Sequence, residues 1–285
     1  MKFYQNLNFK IKNLNLKNII TNDIDAWKFY KNYHHIYNKI WIVESQDVAC
    51  GPMGCYPDKY PIIFKPIINL FGMSRGFKII KNKDEYDKNI KDGLFWMPYL
   101  MGNHYCIDII MVDGKIKFYS CLQSYPFTEG TFNYHESIPE YKLPLKIENW
   151  IKLHFKNFTG CVNIEIIDDI IIEAHLRLNG DYHLYDDEFS KELNKLYNNK
   201  KWNLKYQINK KYLIPIFVDK KFEISKIDNN DIFLILSKFN CDNIQFDNID
   251  SNFQKETLSR YIMFDCKDIS EGLQAKEDII DLIEV

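Results

Sequence analysis

The chain has 285 residues, 46% of them apolar and 15% aromatic, enough for a sizeable core in one large domain or two to three packed subdomains, which excludes an intrinsically disordered chain. Its 37 Lys and Arg against 39 Asp and Glu leave a formal charge of -2, so no overall basic field draws a nucleic-acid backbone and no nucleic-acid partner is expected. The seven cysteines, at 50, 55, 106, 121, 161, 241 and 266, are odd in number and lack CxxC spacing; they read as free thiols in a reducing compartment, not as a disulfide framework or zinc site.

In chain order, residues 1–20 (MKFYQNLNFKIKNLNLKNII) lack the uninterrupted apolar core of a secretion signal, and no run reaches the roughly 18 apolar residues that a membrane span requires. A cytoplasmic location with no membrane partner is expected. The heavy use of Asn, Lys and Ile is that of an AT-rich genome, and for a viral genome the compartment is the host cytoplasm. Trp27 to Ile42 predicts one helix, from the spacing of Phe29, Tyr33, Ile36, Ile40 and Val43. Gly51, Pro52, Gly54 and Pro57 end it. Tyr60 to Ile68 (YPIIFKPII) predicts a buried strand, Asn69 to Gly76 (NLFGMSRG) a loop with two glycines, and Phe77 to Lys81 a second strand. Asp84 to Ile90 reads as helix and Leu94 to Leu100 as extended chain. Tyr105 to Val112 and Lys115 to Leu122 form a hairpin across Asp113-Gly114, a favoured tight-turn pair.

From Gln123 to Lys146, Pro126, Gly130, Pro139 and Pro144 interrupt any periodicity, which predicts a long functional loop. A helix follows, with its inner side at 147, 150, 151, 154, 155 and 158, and Gly160 stands where a left-handed cap would stop it. Residues 186–202 are charged and helical or linking. Tyr212 to Val218 and Arg260 to Asp265 read as strands, with helices near 230–239 and 276–284. Strand-rich α+β is the class.

Val162 to Asp181 (VNIEIIDDIIIEAHLRLNGD) carries the most information. As a hairpin, its apolar set Val162, Ile164 and Ile166 must meet Leu176, Ala174 and Ile172, because a slip of one residue would turn half of it to water. Only an odd loop achieves this, most simply Asp168-Asp169-Ile170. Glu165 then lies opposite Glu173 and Asn163 opposite His175, with Arg177 further along the same face. Facing like charges destabilise a sheet by roughly 0.2 to 1 kcal/mol, and a bound divalent cation would reverse the sign. A half-exposed hairpin with a polar solvent face is the alternative reading of the same pattern.

A lysine in a strand, a glycine loop, an apolar extended segment, a helix and a hairpin with opposed acids followed by Arg: that order, over about residues 36–182, resembles the ATP-grasp superfamily. YPIIFKPIINLFGMSRGF resembles the family's strand with a phosphate-binding lysine and its flexible loop, and NIEIIDDIIIEAHLRLNG resembles its acidic strand pair. The resemblance implies an α+β ATP-grasp fold, two α+β subdomains clasping ATP, with a truncated amino-terminal segment and a small carboxyl-terminal α/β region. The corresponding divisions are 1–57, 58–101 (small subdomain), 102–202 (large subdomain with the metal hairpin) and 203–285.

By the same resemblance Lys65 contacts ATP phosphates, a role that suits a cation on a rigid strand, and Lys39, in YNKIW, is the lysine that opens the upstream helix and reaches the nucleotide. Gly72, Ser74, Arg75 and Gly76, around Met73, close over the β and γ phosphates, and backbone groups near Met97, Tyr99 and Leu100 hydrogen-bond adenine while the aromatic side chains there enclose it. Glu165 and Glu173 ligate Mg²⁺ or Mn²⁺. His175 stands where the family has Asn, which makes it either a metal ligand suited to Mn²⁺ or a substrate contact, and Asn179 supplies the missing amide. Arg177 holds a phosphate or the acyl phosphate. Ribose contacts are unassigned, with Asp108 and His104 as candidates. The implied activity is an ADP-forming, ATP-dependent ligase that joins a small carboxylate to an amine or thiol, with no cysteine required. Acceptor surface would come from the 123–146 loop (Thr128, Glu129, His135, Glu136), from 203–285, or from a protein partner or second copy. The alternative is a nucleotide-binding, non-ligating homologue with a regulatory or structural role.

Overall fold

The computed structural model describes residues 8–9, 19–70, 76–126, 131–180, 182–218, 228–247 and 259–284. Two antiparallel sheets organise them. The large sheet runs in the order β1 (Asn8–Phe9), β12 (Asp242–Phe246), β13 (Ser259–Cys266), β11 (Tyr212–Val218), β8 (Phe132–Ser137), β7 (Lys115–Pro126), β6 (His104–Val112), β9 (Gly160–Ile167), β10 (Ile170–His175). The small sheet runs β2 (Gly51–Pro52), β5 (Leu94–Pro98), β3 (Ile62–Pro66), β4 (Lys78–Ile80). This is an α+β architecture, as the sequence predicts, and no helix among the described residues is long and apolar enough to cross a membrane.

Alternation along β6 and β9 separates an apolar face from a polar one. Ile107, Ile109, Met111, Val162, Ile164 and Ile166 pack with Ile36 and Ile42 and with Ile147, Ile151 and Phe155 of α4 (Leu145–His154) and its C-cap. On the other face, α5 (Asp187–Asn199) covers Ile110 and Cys161 with Phe189, Leu193 and Leu196, while Glu165, Asn163 and Asp108 share that face further along the strands. Here the sequence periodicity translates directly into sidedness.

The single helix expected over 27–42 is broken into three pieces: α1 (Asp23–Phe29), a 3-10 turn (Lys31–Tyr37) and α2 (Lys39–Glu44). Asn side chains start α1 and α2, since each offers the backbone an alternative partner, and Asn38 accounts for the second break, whereas the first, at Tyr30, has no side-chain cap. Asn22 accepts from Asp25 N–H at 2.9 Å and Asn38 from Trp41 N–H at 3.2 Å. The second cap matters most, because it starts α2 at Lys39, whose own N–H donates to Ile67 O at 2.9 Å and so ties α2 to the end of β3.

The 123–146 segment is also corrected. Half of its described part is strand, because β7 continues to Pro126 and β8 follows, and Pro126 and Pro139 sit at or beyond strand ends where no ladder N–H is needed. Gly160 does not cap α4: the helix stops at His154, Asn157 takes the left-handed φ of 60°, and Gly160 opens β9. A Cβ on Gly160 would lie 2.2 Å from Tyr30 Oη. Residues 212–218 and 259–266 form the predicted strands, and both join the large sheet, β11 through Leu213 opposite His135. Strand β12 alternates only at Ile244 and Phe246, too short a pattern to announce it. Helices α6 (Asn229–Lys238) and α7 (Ile269–Glu284) cover this end, with Ile232, Leu236, Ala275 and Ile279 against Ile214, Ile216 and Phe264. The small sheet carries α3 (Lys83–Lys88), capped by Asn82, with Tyr86 buried against Phe64 and Ile80.

Candidate active site

The acidic hairpin pairs Glu173 with Glu165, Ala174 with Ile164 and His175 with Asn163, the register that the apolar pattern requires. Its loop differs from the expected three residues. Asp168 and Asp169, with φ of 52° and 58°, make a two-residue turn, so that Ile170 faces Ile167 and Ile171 faces Ile166. The extra residue sits within β10 as a bulge between Ile171 and Glu173, and Ile172 is the residue left over. Gln46 secures this irregular edge: its Nε2 donates to Ile171 O at 2.8 Å and its Oε1 accepts from Ile171 N–H at 2.8 Å.

Against this hairpin the small sheet and α2 place two lysines. Lys39 Nζ lies 2.7 Å from Glu173 Oε1 and Lys65 Nζ lies 3.9 Å from Glu173 Oε2. Both lysines are buried, Lys39 at 3% exposure and Lys65 at 9%. Burial pushes the Lys65 ammonium down to about 8, helped by the charge of Lys39 and opposed by Glu173 and Glu165. Burial alone would raise Glu173, but Lys39, His175 and Lys65 outweigh it and hold the carboxyl below its usual range. Glu165 behaves likewise through His104, whose Nε2 lies 3.2 Å from Glu165 Oε2. One donor atom each from Glu165, Glu173 and His175 fall within 4.8 Å of one another. Two charged carboxylates and an imbedded imidazole are a set that fits a divalent ion, and the lysines beside them fit phosphate oxygens.

Asp23, at the start of α1, is the participant that sequence reading missed. It is 4% exposed. Its Oδ1 accepts from Tyr37 Oη at 3.2 Å and faces His175 Nδ1 at 3.1 Å, while Oδ2 accepts from Arg177 Nε at 3.1 Å and Nη2 at 2.8 Å. Burial would raise this carboxyl, but the His175 and Arg177 charges outweigh it and hold it far below the carboxylate range. An acid in a first helical turn reads as a helix-dipole partner, and nothing local announces a contact 152 residues away.

Arg177 is thus turned to Asp23, with Nη1 donating to Leu178 O at 3.0 Å. Asn179 donates its N–H to Asp108 Oδ1 at 2.7 Å and its Nδ2 to Cys106 Sγ at 3.3 Å. Asp108 also accepts from Asn163 Nδ2 and Tyr185 Oη, both at 2.9 Å; burial pushes it up to about 6 against the pull of these three donors. It braces the floor beneath the site. Met97, in β5, is buried with Val43, Phe95 and Ile172, and Leu100 packs against the same group. Tyr99 donates its N–H to Pro61 O at 3.2 Å. Gly76, with φ of 74°, leads into β4, whereas Gly72, Met73, Ser74 and Arg75 lie outside the described residues, as do Thr128 and Glu129. His135 Nδ1 pairs with Ser124 Oγ at 2.8 Å, and Glu136 accepts from Tyr125 Oη and pairs with Lys210.

No protein-family model and no curated protein matches the sequence. Solved structures do match. A carboxyaminoimidazole ribonucleotide synthase from Aspergillus clavatus, complexed with ATP, aligns with a TM-score of 0.63 at 11% identity over 90% of this chain and 75% of its own. An L-amino acid ligase from Bacillus licheniformis aligns at 0.57 and 13% over 87% and 71%. The biotin carboxylase domain of the Hydrogenobacter thermophilus 2-oxoglutarate carboxylase, complexed with MgADP, ADP and bicarbonate, aligns at 0.55 and 11% over 83% and 63%. At these identities the likeness is one of fold.

Proposed function

This chain has the ATP-grasp fold, and from that premise we propose that it is an ATP-dependent ligase that joins a small carboxylate to an amine or thiol through an acyl phosphate, releasing ADP when the acyl phosphate forms and inorganic phosphate when the amine or thiol displaces it. The observation that carries the reading is the convergence of Lys39 and Lys65 from one side and Glu165, Glu173 and His175 from the other. Lys39 and Lys65 bind the phosphates as cations fixed on rigid elements. Glu165 and Glu173 would hold Mg²⁺ or Mn²⁺, which when bound would supply charge neutralisation at the phosphate oxygens. Met97, Tyr99 and Leu100 enclose the adenine, and Gly72, Ser74, Arg75 and Gly76 cover the phosphates. Asn179, whose N–H bonds Asp108 and whose Nδ2 bonds Cys106, would supply an amide oxygen to the metal. The substrate carboxylate is the nucleophile, so the protein's share is positioning and electrostatics. Two thiols suit this division: burial raises the buried Cys161 to about 12 and the half-buried Cys50 to about 11, far from a reactive thiolate.

Thermal unfolding with and without ATP plus Mg²⁺ or Mn²⁺, followed by ADP release on adding pooled carboxylic acids and amines, tests the reading. Stabilisation by metal nucleotide and acid-dependent ADP release support it; a melting curve that no nucleotide moves refutes it. One observation favours a second reading. Arg177, the cation expected to hold the transferred group, is paired with Asp23. A nucleotide-binding regulatory or structural module would show the stabilisation and release no ADP with any acid.

A further inference from the structure

His175 is held from behind. Its Nδ1 faces the Asp23 carboxylate at 3.1 Å while its Nε2 faces Glu173 Oε1 at 3.5 Å, and the ring is 3% exposed. Asp23 is fixed in turn by the two donors of Arg177 and by Tyr37 Oη, and that same hydroxyl accepts from Leu176 N–H at 3.2 Å, one residue from His175. A carboxylate that accepts an imidazole N–H decides the tautomer: when a metal ion displaces the second proton of the ring, the one on Nδ1 stays and the lone pair is on Nε2. This lone pair points to the side on which Glu165 and Glu173 present their oxygens.

Resting on the metal-nucleotide reading above, we infer that Asp23 is a positioning residue that makes His175 Nε2 a nitrogen ligand, so that the site built from Glu165, Glu173 and His175 selects Mn²⁺ over Mg²⁺. Magnesium is a hard ion that takes oxygen ligands in near-ideal octahedra. A first-row transition ion accepts imidazole as well as carboxylate, and Mn²⁺ is the member of that series that also suits phosphate and carboxylate oxygens. An imidazole locked in place by Asp23, Tyr37 and Arg177 cannot swing aside to make room for a water ligand without breaking a buried ion pair. The preference is thus built into elements as distant in sequence as α1 and β10.

The test uses the full chain with a non-hydrolysable ATP analogue. Mn²⁺ and Mg²⁺ affinities are measured by calorimetry, and the Mn²⁺ complex is examined by pulsed electron paramagnetic resonance with ¹⁵N-histidine labelling. The expected result is a directly bonded histidine nitrogen and Mn²⁺ binding at least about 10-fold tighter than Mg²⁺. Asp23→Asn should lower Mn²⁺ affinity roughly 10- to 100-fold, the usual loss when the group behind a ligating histidine is removed, and leave Mg²⁺ affinity within about 2-fold. A purely structural role for Asp23 would weaken both ions alike. His175→Asn, which keeps Asp23 paired with Arg177, should abolish the nitrogen signal and bring the two affinities together, and it serves if Asp23→Asn fails to fold. A Mn²⁺-nucleotide complex without histidine nitrogen, or an unchanged Mn²⁺ to Mg²⁺ ratio in His175→Asn, overturns the inference and leaves nucleotide binding intact. Failure to bind the analogue with either ion removes the nucleotide reading, and this inference with it.

Discussion

Replacing Asp23 by alanine removes one carboxylate and strands four donors, two of Arg177 and one each of His175 and Tyr37. Removing one partner of a buried ion pair costs about 3–5 kcal/mol, because the other charge stays in the low-dielectric interior. The lower end applies here, since the Arg177 side chain is 15% exposed and can recover some hydration, whereas that of Asp23 is 4% exposed. With an unfolding entropy of about 2.1 cal/mol/K per residue, a loss of about 3 kcal/mol lowers Tm by about 5 °C for a chain of this length. Asp23→Ala, Arg177→Met and the double variant, unfolded in urea at neutral pH, should show the double variant more stable than Asp23→Ala alone. The pH dependence adds a sign. The folded carboxyl is depressed below its ordinary 3.8, so its contribution is full above that value and declines as pH falls toward the folded value. The gap between wild type and Asp23→Ala should therefore narrow as the pH is taken below about 4. A gap under about 1 kcal/mol at pH 7, or a double variant worse than either single one, would refute the reasoning that Asp23 neutralises a buried charge.

Lys65→Met should weaken ATP binding at least about 10-fold by calorimetry, since it removes a phosphate cation. In the nucleotide-free protein the same change should be neutral or stabilising at pH 7. The Lys65 value falls from 10.5 to about 8 on folding, so between those values the unfolded chain binds the extra proton and wild-type stability rises with pH, by roughly 3 kcal/mol across the window; the variant should lack that rise, and an identical pH profile would count against a buried ammonium. Gly160→Ala should destabilise by about 1–3 kcal/mol, because the new Cβ meets Tyr30 Oη at 2.2 Å. Tyr30→Phe in the same chain should return part of that loss, and no return would mean that the backbone φ of 152° is the whole cause. Gln46→Leu should cost about 1–3 kcal/mol by leaving the Ile171 N–H and C=O without their side-chain partners, with faster amide exchange at Ile171 in β10 than at Ile164 in β9.

Elements whose signals are local were legible. The β6–β7 hairpin follows from Asp113-Gly114, which takes φ of 47° and 72°, and β11 follows from the apolar run Tyr212 to Val218. Elements decided by competition were not. Helical spacing over 27–42 cannot reveal that Asn38 caps a new helix, because the same aromatic residues reach the core from three short pieces as from one long one. Prolines near 126 and 139 mark strand ends as readily as loops, which hid β8. Asp23 was invisible for a stronger reason, since its partners are fixed by the tertiary approach of α1 to the edge of β10.

The acidic hairpin shows why a mistaken loop left the site geometry untouched. Bringing Ile164 opposite Ala174 and Asn163 opposite His175 requires one unpaired residue between Ile166 and Glu173, and sequence alone does not say where that residue goes. A three-residue loop places it at the tip, whereas the structure keeps the two-residue turn and places it in the bulge at Ile172. Parity beyond the extra residue is the same in both cases, so Glu173 meets Glu165 either way. What differs is the edge: a bulge in β10 turns the Ile171 peptide outward to Gln46 at the end of α2, the helix whose first residue sends Lys39 to Glu173. The irregularity that the pattern could not locate is thus the joint that brings Lys39 to the carboxylates.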